Sequence, residues 1–103
     1  METNFDVLVA GELNVDLIFD DLQQRPVTGK EVIANRMTLS LGSSAAIFAS
    51  NLQTIGMRVS FIGKLGEDMF GQFMLSALSA AGVNTQWIEQ NARWKTGASV
   101  ALN

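Results

Sequence analysis

Hydrophobic and polar positions divide the chain into short blocks that alternate between strand and helix patterns. Phe5-Asp6-Val7-Leu8-Val9-Ala10-Gly11 is apolar throughout after Asp6 and rich in valine. That pattern suits a strand buried on both faces of a helix-covered parallel sheet. It runs into Glu12-Leu13-Asn14-Val15-Asp16. Ligands of open α/β sheets bind just beyond the carboxyl ends of the strands. Asn14 and Asp16 therefore stand where polar side chains can meet a ligand. They share parity, so they point the same way if the chain stays extended. The segment 20–29 contains the only proline, Pro26, and reads as a loop. In 31–41, Val32, Ala34, Met37, Leu39 and Leu41 lie among polar neighbours in imperfect alternation. This predicts one or two antiparallel strands with one face partly buried, inserted as a flap between a parallel strand and a helix.

Leu41-Gly42-Ser43-Ser44-Ala45-Ala46-Ile47-Phe48-Ala49 is a run of mostly small residues that turns into a helical period. Phe48, Ala49, Leu52 and Ile55 fall at spacings of three and four, predicting a helix over 43–55 with these residues on its buried face. Ser43 or Ser44 can cap its start and Gly56 fits its C′ position. Small side chains let a ligand approach the helix N-terminus, where free N–H groups and the dipole favour oxygen-rich groups. A plain capped helix packed under a strand is the alternative. Next come a strand at Arg58–Gly63 and an exit loop, Lys64-Leu65-Gly66-Glu67-Asp68. A second helix is predicted over Met69–Ala81, capped by Asp68, stopped by Gly82, and buried along Phe70, Phe73, Met74, Ala77, Leu78 and Ala81. Trp87-Ile88 marks a short strand, 91–95 a loop, and 98–103 a final strand. The order gives an α/β class with βαβ units.

Composition narrows the chemistry. The chain's 103 residues, 48% hydrophobic and 17% charged, suffice for one small domain with a core. No apolar run is long enough for a transmembrane helix. Glu2 and Asp6 near the start do not resemble a secretory signal. With no cysteine, a cytoplasmic setting is expected. The lack of both Cys and His argues against zinc and removes His-based triads, leaving only carboxylate-type sites for magnesium or calcium. The charge of −3, without a basic cluster, argues against nucleic acid. Gly63-Lys64-Leu65-Gly66 lacks the spacing and the Ser/Thr of a phosphate loop, and Gly-x-Gly-x-x-Gly is absent.

These pieces, in this order, resemble the amino-terminal part of the ribokinase/PfkB family of carbohydrate kinases. Gly11-Glu12-Leu13-Asn14-Val15-Asp16 is similar to the family's first strand exit, whose Asp binds sugar hydroxyls. Pro26 and Gly29-Lys30-Glu31-Val32 resemble the start of its lid. Leu41–Ala49 resembles its glycine-rich sugar-binding turn and helix. Leu52-Gln53-Thr54-Ile55-Gly56 and Val59-Ser60-Phe61-Ile62-Gly63 continue the signature. Gly66-Glu67-Asp68-Met69-Phe70-Gly71 resembles its Gly-x-Asp-x-x-Gly element, and Ala81-Gly82-Val83-Asn84-Thr85 with Thr96-Gly97 completes the match.

The resemblance implies a ribokinase-like three-layer α/β/α, Rossmann-like sheet, present in part, with a small β lid built from about 27–41 and 96–103. It implies an ATP-dependent kinase acting on a sugar or sugar-like hydroxyl, with ATP and Mg²⁺ as cofactors. Residues 1–103 would form the amino-terminal fragment of such a kinase domain. Asn14, Asp16, Gly42, Ser43 and Ile47 would be the substrate-binding positions. No catalytic residue is identifiable, because the family's Gly-Ala-Gly-Asp type motif, which supplies the base and the phosphate site, is absent. The chain alone is therefore expected to be inactive. Two positions depart from the family: Ser43 replaces a second glycine, and Ile47 replaces an Asn that bonds the sugar. Isoleucine offers no hydrogen bond, which implies a less polar or smaller substrate edge there than ribose has. A homodimer or higher oligomer is expected from open sheet edges, with a small sugar-like partner and neither nucleic acid nor membrane. The alternative function is a non-catalytic α/β ligand-binding or interaction module.

Overall fold

The computed structural model describes residues 5–103. Its elements run β1 (Val7–Ala10), β2 (Asn14–Leu22), β3 (Ala34–Leu41), α1 (Ser44–Thr54), β4 (Val59–Gly66), α2 (Met69–Ala80), β5 (Asn84–Asn91) and β6 (Gly97–Leu102). They form two three-stranded sheets, ordered β1-β4-β5 and β3-β2-β6. The first is wholly parallel. In the second, β2 is the middle strand, antiparallel to β3 and parallel to β6.

Alternation along the parallel sheet sends Val9, Val59, Phe61 and Leu65 to one side, where they are buried with Ala46 and Ala49 of α1 and Met74 and Leu78 of α2. Full burial of side chains such as Phe61, Met74 and Leu78 stabilises the fold by about 1.5–3 kcal/mol each. Both helices sit on this side. The opposite side carries Leu8, Ile62 and Trp87, which are 53%, 41% and 44% exposed. The expectation that the first strand is buried on both faces is thus corrected. Its continuous apolarity could serve two covering layers, but the described residues supply helices to one face only. They build the sheet and one helical layer, so the three-layer architecture is present in part.

Helix α1 starts and stops where expected, with Ser43 as N-cap, Ile55 as C-cap and Gly56 at φ 102°. Its buried face is corrected. Ala46 and Ala49 face the core, whereas Phe48 and Ile55 are 54% and 75% exposed. The cause is close approach: a Cβ on Gly11 would lie 2.5 Å from the Ala45 Cβ. Only small side chains fit between the end of β1 and the start of α1, so Ala46 and Ala49 turn inward, Leu52 still packs against the core as expected, and Phe48 and Ile55 turn out. Helix α2 keeps its predicted stripe, with Met74 and Leu78 fully buried and Phe70 and Phe73 packed against the core. Asp68 caps it by accepting the Gly71 N–H at 2.7 Å.

Three strands are longer than predicted. β2 runs through Asp20 and Asp21 to Leu22, where a loop was expected, because it pairs with β3 as far as Leu22–Ala34. Asp21 adopts φ 58° and accepts a bond from Asn35 Nδ2 at 2.9 Å. β4 continues through Lys64–Gly66, expected as an exit loop, because it keeps pairing with β5 up to Gly66–Asn91. β5 extends well beyond Trp87-Ile88 for the same reason.

The second sheet has two unlike faces. Val15, Leu17 and Phe19 align with Leu41, Leu39 and Met37 on one side and with Ala98, Val100 and Leu102 on the other. This apolar face begins in the core at Val15 and ends exposed at Met37, Val100 and Leu102. The opposite face is mostly polar, with Asn14, Asp16 and Asp20 among Ser40, Thr38, Arg36 and Ser99.

Candidate functional site

The chain leaves β1 at Gly11 and anchors itself by burying Leu13. It then enters β2 at Asn14, extended, so Asn14 and Asp16 project to the same face as their shared parity predicts. β3 delivers Gly42 directly against them. The Gly42 N–H donates to the Asn14 carbonyl at 2.8 Å. A Cβ at Gly42 would lie 2.6 Å from both Asn14 Nδ2 and Asp16 Oδ1. Glycine is required here by contact with two candidate ligand-binding groups, because any side chain would displace both.

Ser43 follows in a conformation rare for a residue with a side chain, φ 69° and ψ 122°. Its hydroxyl donates to the Glu12 carbonyl and accepts the Ala46 N–H at 3.3 Å. That pair of bonds ties the turn before β2 to the first turn of α1. Ile47, the fourth residue of α1, is 44% exposed. Asn14, Asp16, Gly42 and Ser43 are therefore brought together at the N-terminus of α1, with Ile47 on its first turn. Asn14 and Gly97 also line a cleft of about 660 Å³ that continues past Gly11, Glu12, Gly63 and Lys64. A separate concavity of about 360 Å³ lies by the apolar face of the second sheet, against Phe19, Pro26, Val27 and Leu102, and is lined by none of Asn14, Asp16, Gly42, Ser43 and Ile47.

The grouping suits hydroxyl recognition. A carboxylate accepts O–H protons, and an amide both donates and accepts. It does not suit nucleotide phosphates. The start of α2 is occupied by the Asp68 carboxylate and that of α1 by the Ser43 hydroxyl. Among the described residues no group of three or more His, Cys, Asp or Glu could hold a metal ion, and no helix is long and apolar enough to cross a membrane.

Two arrangements escaped sequence reasoning. Ser40 and Ser99 are the cross-strand partners of Asp16 on β3 and β6, and only the pairing register reveals the row. Asp68, legible as a helix cap, also accepts the Thr96 N–H at 2.9 Å. The Thr96 hydroxyl in turn accepts the Gly66 N–H at 3.0 Å. The Thr96 amide first, then the Gly71 amide and the Thr96 hydroxyl, hold the Asp68 carboxyl below its ordinary pKa. Cβ atoms at Gly66 and Gly71 would run into Trp94, Asp68 and the Gly66 carbonyl. The Gly-x-Asp-x-x-Gly element is thus a fastening between β4, α2 and the start of β6.

The family model described as pfkB family carbohydrate kinase matches residues 4–103. The chain is 36% identical over 92 residues to the bifunctional protein HldE of Magnetococcus marinus, covering 87% of this chain and 19% of that protein. It is 28% identical over 94 residues to the ribokinase of Bacillus subtilis, covering 91% of this chain and 32% of the relative. The fructokinase of Xylella fastidiosa with bound ATP superposes at a TM-score of 0.75 with 29% identity, over 93% of this chain and 29% of that one. The chain thus spans about a fifth to a third of the length of these proteins. The match runs through the Asn14–Asp16 strand, the Gly42-Ser43 turn and the Gly-x-Asp-x-x-Gly fastening alike, and the chain belongs to the pfkB family of carbohydrate kinases.

Proposed function

We propose that the protein carrying this chain transfers the γ-phosphoryl group of ATP to a hydroxyl of a sugar or sugar-like substrate. In this reading the chain contributes the substrate-holding half-site and its lid. The observation that carries the proposal is the convergence of Asn14 Nδ2 and Asp16 Oδ1 on Gly42 at the start of α1. Asp16 accepts substrate hydroxyls, Asn14 bonds a neighbouring oxygen, and Gly42 and Ser43 allow close approach of the backbone. The second sheet, β3-β2-β6, acts as the lid, with the expected segments 27–41 and 96–103 providing its outer strands and β2 its middle. Closing it over the site excludes water from the reaction.

ATP, with Mg²⁺, supplies the transferred group and neutralises its charge. Both helix starts of this chain are filled by its own side chains, so the phosphates and the catalytic base are assigned to residues other than these. Ile47 gives the substrate an apolar neighbour on the helix side and shifts preference away from ribose.

The test is transfer of label from γ-labelled ATP to a panel of pentoses, hexoses and their derivatives by the full gene product carrying these residues. A labelled sugar phosphate, with ribose not the preferred acceptor, is the expected result. No labelled product from any sugar overturns the kinase reading. Ribose as best acceptor overturns the role given to Ile47.

A further inference from the structure

Asp16 lies in the middle strand of the second sheet. Its direct partner on β3 is Ser40 and its direct partner on β6 is Ser99. Directly opposed residues project to the same face, so the carboxylate is flanked on both sides by a hydroxyl. The next row outward, Thr38–Ile18–Ala101, carries one polar group, and the next inward on β2 and β6 is Asn14–Gly97. The serine pair is therefore confined to the row of Asp16. Among the described residues, neither serine hydroxyl nor the Asp16 carboxylate hydrogen-bonds another protein group, although Asp20 and Asp21 further along the same strand each hold a partner. Ser99 is exposed and Ser40 and Asp16 half-buried, so the row is open to a ligand.

Resting on the sugar-kinase reading above, we infer that Ser40 and Ser99 are specificity-determining residues. They read the hydroxyls on either side of the one held by Asp16. Strands in a sheet are about 4.8 Å apart, so the row spans roughly 10 Å. That is wide enough to address a run of hydroxyls along one edge of a pentose, hexose or linear polyol. A serine hydroxyl donates one bond and accepts others, so each can complement a substrate hydroxyl in either role. The substrate class is a polyhydroxylated compound with at least three hydroxyls along the edge that meets the lid. Where a site is built to bond a hydroxyl, the analogue lacking it is rejected because the site's polar group is left unpaired.

The test compares the full gene product with Ser40→Ala, Ser99→Ala and Ser99→Thr, using the best acceptor sugar and its monodeoxy analogues. The wild type is expected to prefer the parent sugar over at least one deoxy analogue by tenfold or more in kcat/KM. Ser40→Ala and Ser99→Ala should each raise KM for the parent sugar about five- to tenfold and collapse that preference to within threefold for the matching analogue. Ser99→Thr keeps the hydroxyl and should keep the preference. A purely structural role would lower kcat/KM for parent and analogue alike and leave their ratio unmoved, and that result overturns the inference. If the wild type phosphorylates a sugar and the alanine variants discriminate as it does, this inference fails and the kinase reading stands. If the wild type phosphorylates no sugar, both fail.

Discussion

One carboxylate oxygen of Asp68 accepts the backbone N–H of Thr96 at 2.9 Å across 28 residues of sequence, while the other caps α2 through Gly71 at 2.7 Å. β6 begins at the next residue, Gly97. A single carboxylate therefore sets both where α2 starts and where the chain departs for the second sheet. Asp68→Ala should lower folding stability by about 1–2 kcal/mol through the lost cap and the lost tether. It should also speed amide exchange over 97–100 more than over β5. Urea titration and hydrogen exchange check the two effects, and loss of stability without faster exchange in β6 contradicts the tether.

Acid should expose the same carboxylate. Asp68 is more acidic folded than unfolded, chiefly because the Thr96 and Gly71 amides bond its charged form. Asp6 is held at about 2, from an ordinary 3.8, by the Arg58 guanidinium and then the Arg58 backbone N–H. Groups with a depressed folded pKa stabilise the fold above their unfolded value, and that contribution is lost as pH falls through the folded value. Melting temperature should therefore hold steady above about pH 5 and fall from about pH 4 towards pH 2. Asp68→Asn and Asp6→Asn should each flatten that fall. Thermal melts from pH 2 to 6 measure it, and an equal slope in wild type and variants contradicts the assignment.

Ser43 combines a strained backbone with a working cap, and the two can be separated. Ser43→Gly relieves the positive φ of 69° but removes the hydroxyl. Glycine costs only a few tenths of a kcal/mol as a cap, whereas the strain is about 1 kcal/mol or more. The variant should be as stable as wild type or slightly more so. Ser43→Ala keeps the strain and loses the cap, and should be destabilised by about 1 kcal/mol. Denaturant midpoints order the three proteins, and Gly below Ala contradicts the account.

Gly42→Ala tests the contact between the turn and the candidate ligand groups. Its Cβ would come within 2.6 Å of Asn14 Nδ2 and Asp16 Oδ1, so both must move. Sugar affinity in the full gene product should drop at least tenfold by calorimetric titration. Far-ultraviolet circular dichroism should stay unchanged, since the displaced atoms, the two side chains and the Asn14 carbonyl, all lie at the start of β2. Unaltered affinity contradicts the placement.

The open face of the parallel sheet, with Leu8, Ile62 and Trp87 exposed, should make the 103-residue chain self-associate. Sedimentation velocity should show concentration-dependent dimers or larger species, shifted towards monomer by Ile62→Lys. A monomer at all concentrations contradicts this.

Much of this was legible in the chain itself. Both helices, their caps and the α/β order followed from periodicity and turn chemistry. The shared orientation of Asn14 and Asp16 followed from parity once the strand stayed extended. What failed did so for tertiary reasons. Phe48 and Ile55 fit a helical stripe, but the Gly11–Ala45 approach sets small residues against β1 at the start of α1, and of that stripe only Ala49 and Leu52 meet the core. Asp20 and Asp21 suggest a loop, yet pairing with β3 carries the strand through them. The neighbours of Asp16 come from strands more than twenty and more than eighty residues after it in the chain, and nothing local marks Ser40 or Ser99 as its partners. The tether from Asp68 to Thr96 is invisible for the same reason.

 Both serines follow Asp16 in the chain, Ser40 on β3 and Ser99 on β6, and only the folded sheet sets them beside it.

The central claim is that Asp16 holds the sugar whose hydroxyl is phosphorylated. Its most direct test is Asp16→Ala in the full gene product, with sugar and ATP binding titrated separately and phosphoryl transfer measured alongside. Bonds to a charged group are worth about 1.5–3 kcal/mol each, so losing two should weaken sugar binding by about a hundredfold or more. Sugar phosphorylation should fall at least as far, while ATP binding stays within a few-fold of wild type. Phosphorylation with an unchanged KM for the sugar would contradict the account.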